Sequence, residues 1–158
     1  MNRLAILAVF VLLVVAGCGQ SVKLDAPLEP LSDKSKLVKL ADMKGKVVLI
    51  DFWATTCGPC HLTMPTIEEL YTKYRDKGFT VAAITNEDRA TVQKFVDNSV
   101  FSYPVYLDGM GAATSDFGVS SIPFAVLLGK DGQVIDTYLG APLDKAKLKG
   151  QIERALRQ

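Results

Sequence analysis

Residues 46–53 read KVVLIDFW, an almost unbroken run of β-branched, aliphatic and aromatic side chains ending four positions before Cys57-Gly58-Pro59-Cys60. A run with no polar face is the mark of a strand covered on both sides, which requires helices over each face of its sheet. The rest of the chain supplies them. Residues 58–77 carry Ile67, Leu70, Tyr71 and Tyr74 at helical spacing, and Gly78 follows as a stop. Residues 79–84 (FTVAAI) read as a second strand and residues 89–98 as a helix with Val92, Phe95 and Val96 on one face. A short extended piece over 103–107 and a short helix over 112–117 come next. Strands over 124–128 and 134–139 are joined by Gly129-Lys130-Asp131-Gly132, a hairpin signal. Leu148, Ile152 and Leu156 line a final helix. A βαβ opening followed by a hairpin and a helix predicts an α/β sandwich with a mixed sheet.

The CxxC pair lies where the buried strand passes into a helix, and that position gives it chemistry. Two thiols separated by two residues at a helix start can close a disulfide with little backbone movement. The first lies at the helix N-terminus, whose free N–H groups and dipole favour its anion, lowering the thiol pKa from about 8.5 toward 7 or below. Cys57 is thus the expected nucleophile, forming a mixed disulfide with a substrate, and Cys60 the thiol that resolves it. Pro59 suits the first turn, where its missing N–H would have had no partner. Asp51 interrupts the apolar run six positions before Cys57. A carboxylate buried there would be costly and would respond by raising its pKa, making it a poised acceptor for the Cys60 proton. The alternative is that Asp51 sits solvated at the strand end.

Hydrophobicity is concentrated at the N-terminus. Residues 4–16 are uncharged and almost wholly aliphatic, preceded by Arg3 and followed by Gly17-Cys18. This is short of the roughly 20 residues of a spanning helix and has the size of a signal-peptide core. Val15-Ala16-Gly17-Cys18 resembles the lipobox of bacterial lipoproteins, which implies cleavage after residue 17 and a lipid on Cys18. The polar, proline-containing residues 18–35 are expected to be the lipidated N-terminus and a tether, with the domain over 36–158. Without residues 1–17 the chain balances 17 basic against 17 acidic side chains. No basic patch suggests nucleic-acid binding. With Cys18 lipidated, only Cys57 and Cys60 remain, so a structural disulfide framework is excluded.

The segment DFWATTCGPC, with Pro65 in the helix beyond it, resembles the active-site segment of the thioredoxin family. Ser121-Ile122-Pro123 resembles that family's cis-proline loop, and Leu139-Gly140-Ala141 its neighbouring glycine turn. Lys44-Gly45-Lys46 and the GKDGQVIDTYLGA hairpin are similar to the membrane-anchored TlpA/ResA-like branch. The resemblance spans about residues 37–157 and implies a three-layer thioredoxin-like sandwich, a central mixed sheet flanked by helices. It also implies a cis Ile122-Pro123 bond presenting backbone to an extended substrate segment, with Trp53, Gly58 and Pro59 forming the rim around the dithiol. Three positions depart from the branch: Thr63 stands where many members carry a Glu, Thr56 where a second Trp is common, and Asp51 is kept where members often lack the strand acid. Retention of Asp51 suggests a proton route like that of thioredoxin.

Cys57-Gly58-Pro59-Cys60-His61 also satisfies CxxCH, the attachment signature of c-type haem, with Met64 or Met110 as a second axial ligand. A copper module holding Cu(I) between two thiolates is a third reading, although His61 is the sole histidine. His61 itself is expected to face solvent, where it can tune the Cys57 thiolate. The favoured expectation is an extracytoplasmic thiol–disulfide oxidoreductase needing no cofactor or metal beyond the Cys57–Cys60 disulfide. CGPC resembles the reducing thioredoxins, with potentials around −270 mV. The expected partners are protein thiols and disulfides, apocytochrome c among them by family resemblance, and a membrane electron donor. A monomer held to the bacterial envelope by Cys18 is expected, facing the periplasm or the exterior.

Overall fold

The computed structural model describes residues 22–158. Ten regular elements follow in order: strand β1 (Glu29–Pro30), β2 (Val47–Phe52), helix α1 (Gly58–Tyr74), β3 (Phe79–Thr85), α2 (Arg89–Asp97), β4 (Val105–Leu107), α3 (Ala112–Asp116), β5 (Phe124–Leu128), β6 (Val134–Leu139) and α4 (Lys145–Arg157). The sheet runs β1-β4-β3-β2-β5-β6. β2 pairs parallel with β3 and antiparallel with β5, and all six of its residues are buried. The apolar run is therefore the central strand. This is the mixed sheet and thioredoxin-like sandwich that the sequence predicts, with most element limits shifted by only one or two residues.

The pleat divides the core. Val47, Leu49 and Trp53 point into one apolar layer with Cys60, Ile67 and Leu70 of α1 and Leu148 and Ile152 of α4. Val48, Ile50 and Phe52 point into the other, with Ala113 of α3 and Leu24, Leu28 and Leu40 from the N-terminal segment. By strand alternation, Asp51 belongs to the first layer, beneath α1.

The N-terminal segment is the main correction. Residues 18–35 were expected to be a tether, yet from Leu24 onward they belong to the domain. Leu28 is fully buried, and Ala26 and Leu31 are buried as well. β1 pairs antiparallel with β4, and Leu28 exchanges backbone hydrogen bonds with Val38. Arg89, at the start of α2, binds the carboxylate of Glu29 and donates to the carbonyls of Pro30 and Leu31. Of the two prolines that suggested a loose linker, Pro30 lies in an edge strand, where a missing N–H costs nothing. The signal segment and Cys18 lie outside the described residues.

Leu28→Ala should therefore lower unfolding stability by about 2–5 kcal/mol, the usual range for a buried leucine. Denaturant titration checks it; a tether residue would leave the midpoint where it was.

Candidate active site

β2 ends at Phe52, and the five residues 53–57 carry the chain to the first turn of α1. Cys57 is the N-cap of that helix, in extended conformation, with Pro59 in the first turn. Its sulfur accepts the backbone N–H of Cys60 at 3.2 Å. This is the arrangement that favours a thiolate: a helix N-terminus with a main-chain donor directed at sulfur. Cys57 and Cys60 are joined by a disulfide, Cα atoms 5.2 Å apart. The two sulfurs are not equivalent, since Cys60 is fully buried and Cys57 partly exposed. An incoming sulfur can reach only the first.

Asp51 is 1% exposed, with Ala83 and Ala125 as its register neighbours on either side. Its burial lifts the carboxyl pKa to about 7. The solvated alternative is thereby removed. Thr63 is buried and donates its hydroxyl to the Cys60 carbonyl at 2.8 Å. The other buried carboxylate among the described residues, Asp108, caps α3 by accepting from the N–H groups of Ala113 and Thr114. Asp51 is thus left as the buried acid of the dithiol layer.

The proposed rim is partly revised. Gly58 and Pro59 are exposed. Ile122 is 38% exposed, the Ile122-Pro123 bond is cis, and the Pro123 carbonyl accepts the N–H of Gly140 at 2.9 Å. Phe124 stands opposite Phe52, so the cis-proline loop and the strand end are held side by side. Trp53, however, is 2% exposed, its ring tilted against Phe95 and edge-on to Phe101. It supports the loop from below; its indole is covered by aromatic rings and offers almost no surface to a substrate. His61 is exposed, stacks on Phe95, and its Nε2 lies 3.0 Å from the Thr55 carbonyl.

One residue escaped the sequence reading. Glu87, just beyond β3, accepts the Thr55 N–H and the Thr55 hydroxyl, each at 2.7 Å, and so clamps the loop that delivers Cys57. The available signal was topological: β2 and β3 are parallel neighbours, and loops at the carboxyl ends of such strands meet.

A mixed sheet with two sulfurs of unequal access at a helix start defines the thioredoxin-like thiol–disulfide oxidoreductases. The comparisons agree. The sequence pattern of the Redoxin family matches residues 19–152. Thiol-disulfide oxidoreductase ResA of Bacillus thuringiensis is 34% identical over 132 residues, covering 82% of this chain and 76% of its own. ResA of Geobacillus thermodenitrificans is 29% identical, covering 96% and 95%. A Chlorobium tepidum structure described as thiol:disulfide interchange protein DsbE superposes with TM-score 0.74 at 34% identity, covering 86% of this chain and 99% of that one. The chain belongs to the Redoxin family, as a TlpA/ResA-like member of the thioredoxin superfamily, and is a redox enzyme of the thiol–disulfide type.

The raised pKa of Asp51 has a stability consequence. The unfolded chain releases this proton near pH 3.8 while the folded protein keeps it to about pH 7, so raising the pH through that window favours unfolding. The oxidised wild type should therefore lose stability relative to Asp51→Asn between pH 4 and 7, by up to roughly 4 kcal/mol at about 1.4 kcal/mol per pKa unit. Above pH 7 the difference should level off. Paired denaturant titrations across pH 4–9 measure it.

Proposed function

We propose that this protein reduces protein disulfides outside the cytoplasm, with Cys57 as nucleophile, Cys60 as resolving thiol and Asp51 as the proton acceptor for Cys60. The unequal exposure of the two sulfurs carries the reading. In the reduced enzyme the Cys57 thiolate attacks one sulfur of a substrate disulfide; the other sulfur leaves as a thiolate and takes a proton from solvent. Asp51 then removes the Cys60 proton, and the Cys60 thiolate attacks Cys57 of the mixed disulfide. The second substrate thiol is expelled, and two electrons have passed from the dithiol to the substrate. A buried acid with a pKa of about 7 suits this task, since it is deprotonated for part of the population at working pH.

Disulfides of apocytochrome c are the substrate class that the ResA-like resemblance suggests, and a membrane dithiol donor would regenerate the enzyme. Residues 1–17 are read as a signal and Cys18 as the lipid-bearing residue. No helix among the described residues is long and apolar enough to cross a membrane. The haem reading fares worse on steric grounds: Cys60, on the buried face of α1, is fully covered and could not form a thioether without opening the core.

Cys57→Ser should abolish disulfide reduction, measured with a protein disulfide substrate; retained turnover would remove the nucleophile assignment. Cys60→Ser should keep the first attack and accumulate mixed disulfides, whose partners mass spectrometry identifies. Intact-mass analysis of the mature protein should find Cys18 as the first residue, carrying acyl chains.

A further inference from the structure

Three buried polar atoms have no hydrogen-bond partner among the described residues: Asp51 Oδ2, Trp53 Nε1 and the Tyr103 hydroxyl. Such groups are rare in folded proteins, because each forfeits its hydration without replacement. These three share one layer. Trp53 and Tyr103 belong to the core beneath α1, and strand alternation turns Asp51 the same way. The residues flanking Asp51 in the sheet are small. Val105 of β4, Ala83 of β3, Asp51 of β2 and Ala125 of β5 form one cross-strand row, with a methyl group alone on each side of the carboxyl. Tyr103 precedes β4 by two positions on the same face. Its ring is fixed by stacking on Phe101, centroids 4.4 Å apart, and by an edge contact with Tyr71.

We propose that Tyr103 is a positioning residue for the dithiol reaction: its hydroxyl donates, through water held in the space over Ala83, to the Asp51 carboxylate and sets the pH at which Asp51 accepts the Cys60 proton. The inference rests on the proton role given to Asp51 above and names the group that tunes it. A buried polar space with two or more partners is where an ordered water is stable. Hydrogen bonding to a charged carboxylate favours that form and opposes the effect of burial. Burial foremost, then the charges of Asp51 and Glu68, holds the Tyr103 hydroxyl far above the ordinary phenol range, so it remains a donor at every working pH.

Other ionisable groups around this layer are accounted for. On α1, besides Cys57 and Cys60, Glu68 accepts from the N–H and hydroxyl of Ser102, Tyr74 donates to Glu153 of α4, and Tyr71 meets Tyr103 through its ring. Tyr138 of β6 donates to Gln151. No lysine or arginine is buried among the described residues.

The test is carbon NMR of the full-length oxidised chain, labelled at the aspartate carboxyl and at the tyrosine ring carbon bearing oxygen. The Asp51 signal is assigned as the one lost in Asp51→Asn. Tyr103→Phe keeps the stacked ring and removes the donor, and should raise the Asp51 midpoint by about one pH unit, the scale of one hydrogen bond to a charged group. Tyr71→Phe should leave it in place. In the wild type, needing no variant, the Tyr103 ring-carbon signal should move with the same midpoint as Asp51. An Asp51 midpoint unchanged in folded Tyr103→Phe, or a Tyr103 signal flat across the Asp51 transition, would overturn the proposal. The proton role of Asp51 is judged separately, from the resolution rate of Asp51→Asn across pH 6–9, a window set by the thiol range. An unchanged rate there removes that role while leaving the Tyr103 coupling to stand or fall on the NMR.

Discussion

Six consecutive buried residues, hydrogen-bonded along both edges, hold the dithiol in place. β2 has β3 on one side and β5 on the other, so its end cannot move without breaking both ladders. The loop that leaves it is held in turn by Glu87 through Thr55. Cys57 thus reaches the helix N-terminus already placed, and its sulfur meets the Cys60 N–H. A catalytic group held by rigid elements keeps its geometry without ordering a mobile segment at each turnover.

The same burial makes the acid useful. Asp51 sits in a layer that offers no buried cation among the described residues, and its neighbours in register are alanines. A counter-charge would have drawn the carboxyl pKa down toward the ordinary range, where it is a weak base. Desolvation alone drives it the other way. The cost falls on stability, the usual trade where a buried acid takes a role such as the one proposed for Asp51.

Much of this was legible because the signals were local. The apolar run of β2, the CxxC spacing and the hairpin around Gly129–Gly132 each depend on neighbours in sequence. Burial of Asp51 followed from its flanking Ile50, Phe52 and Trp53. The misreadings share a different cause. Residues 24–35 look like a linker because their apolar positions are sparse and broken by Pro27 and Pro30, yet Leu24, Leu28 and Leu31 find cover from elements far along the chain. Trp53 was expected at the surface, but Phe95 and Phe101, more than 40 residues away, bury it. Glu87 and Tyr103 are brought to the dithiol layer only once β3 pairs with β2 and β4 pairs with β3.

The packed N-terminal segment also bears on the geometry of the anchor proposed at Cys18. A tether running to residue 35 would let the catalytic face roam several tens of ångströms from its point of attachment. Here the chain is already part of the core at Leu24, six residues after Cys18. Six residues span at most about 21 Å when fully stretched. With a lipid on Cys18, the enzyme would be moored on a short leash, its reach confined to partners that present their sulfurs close to the bilayer surface.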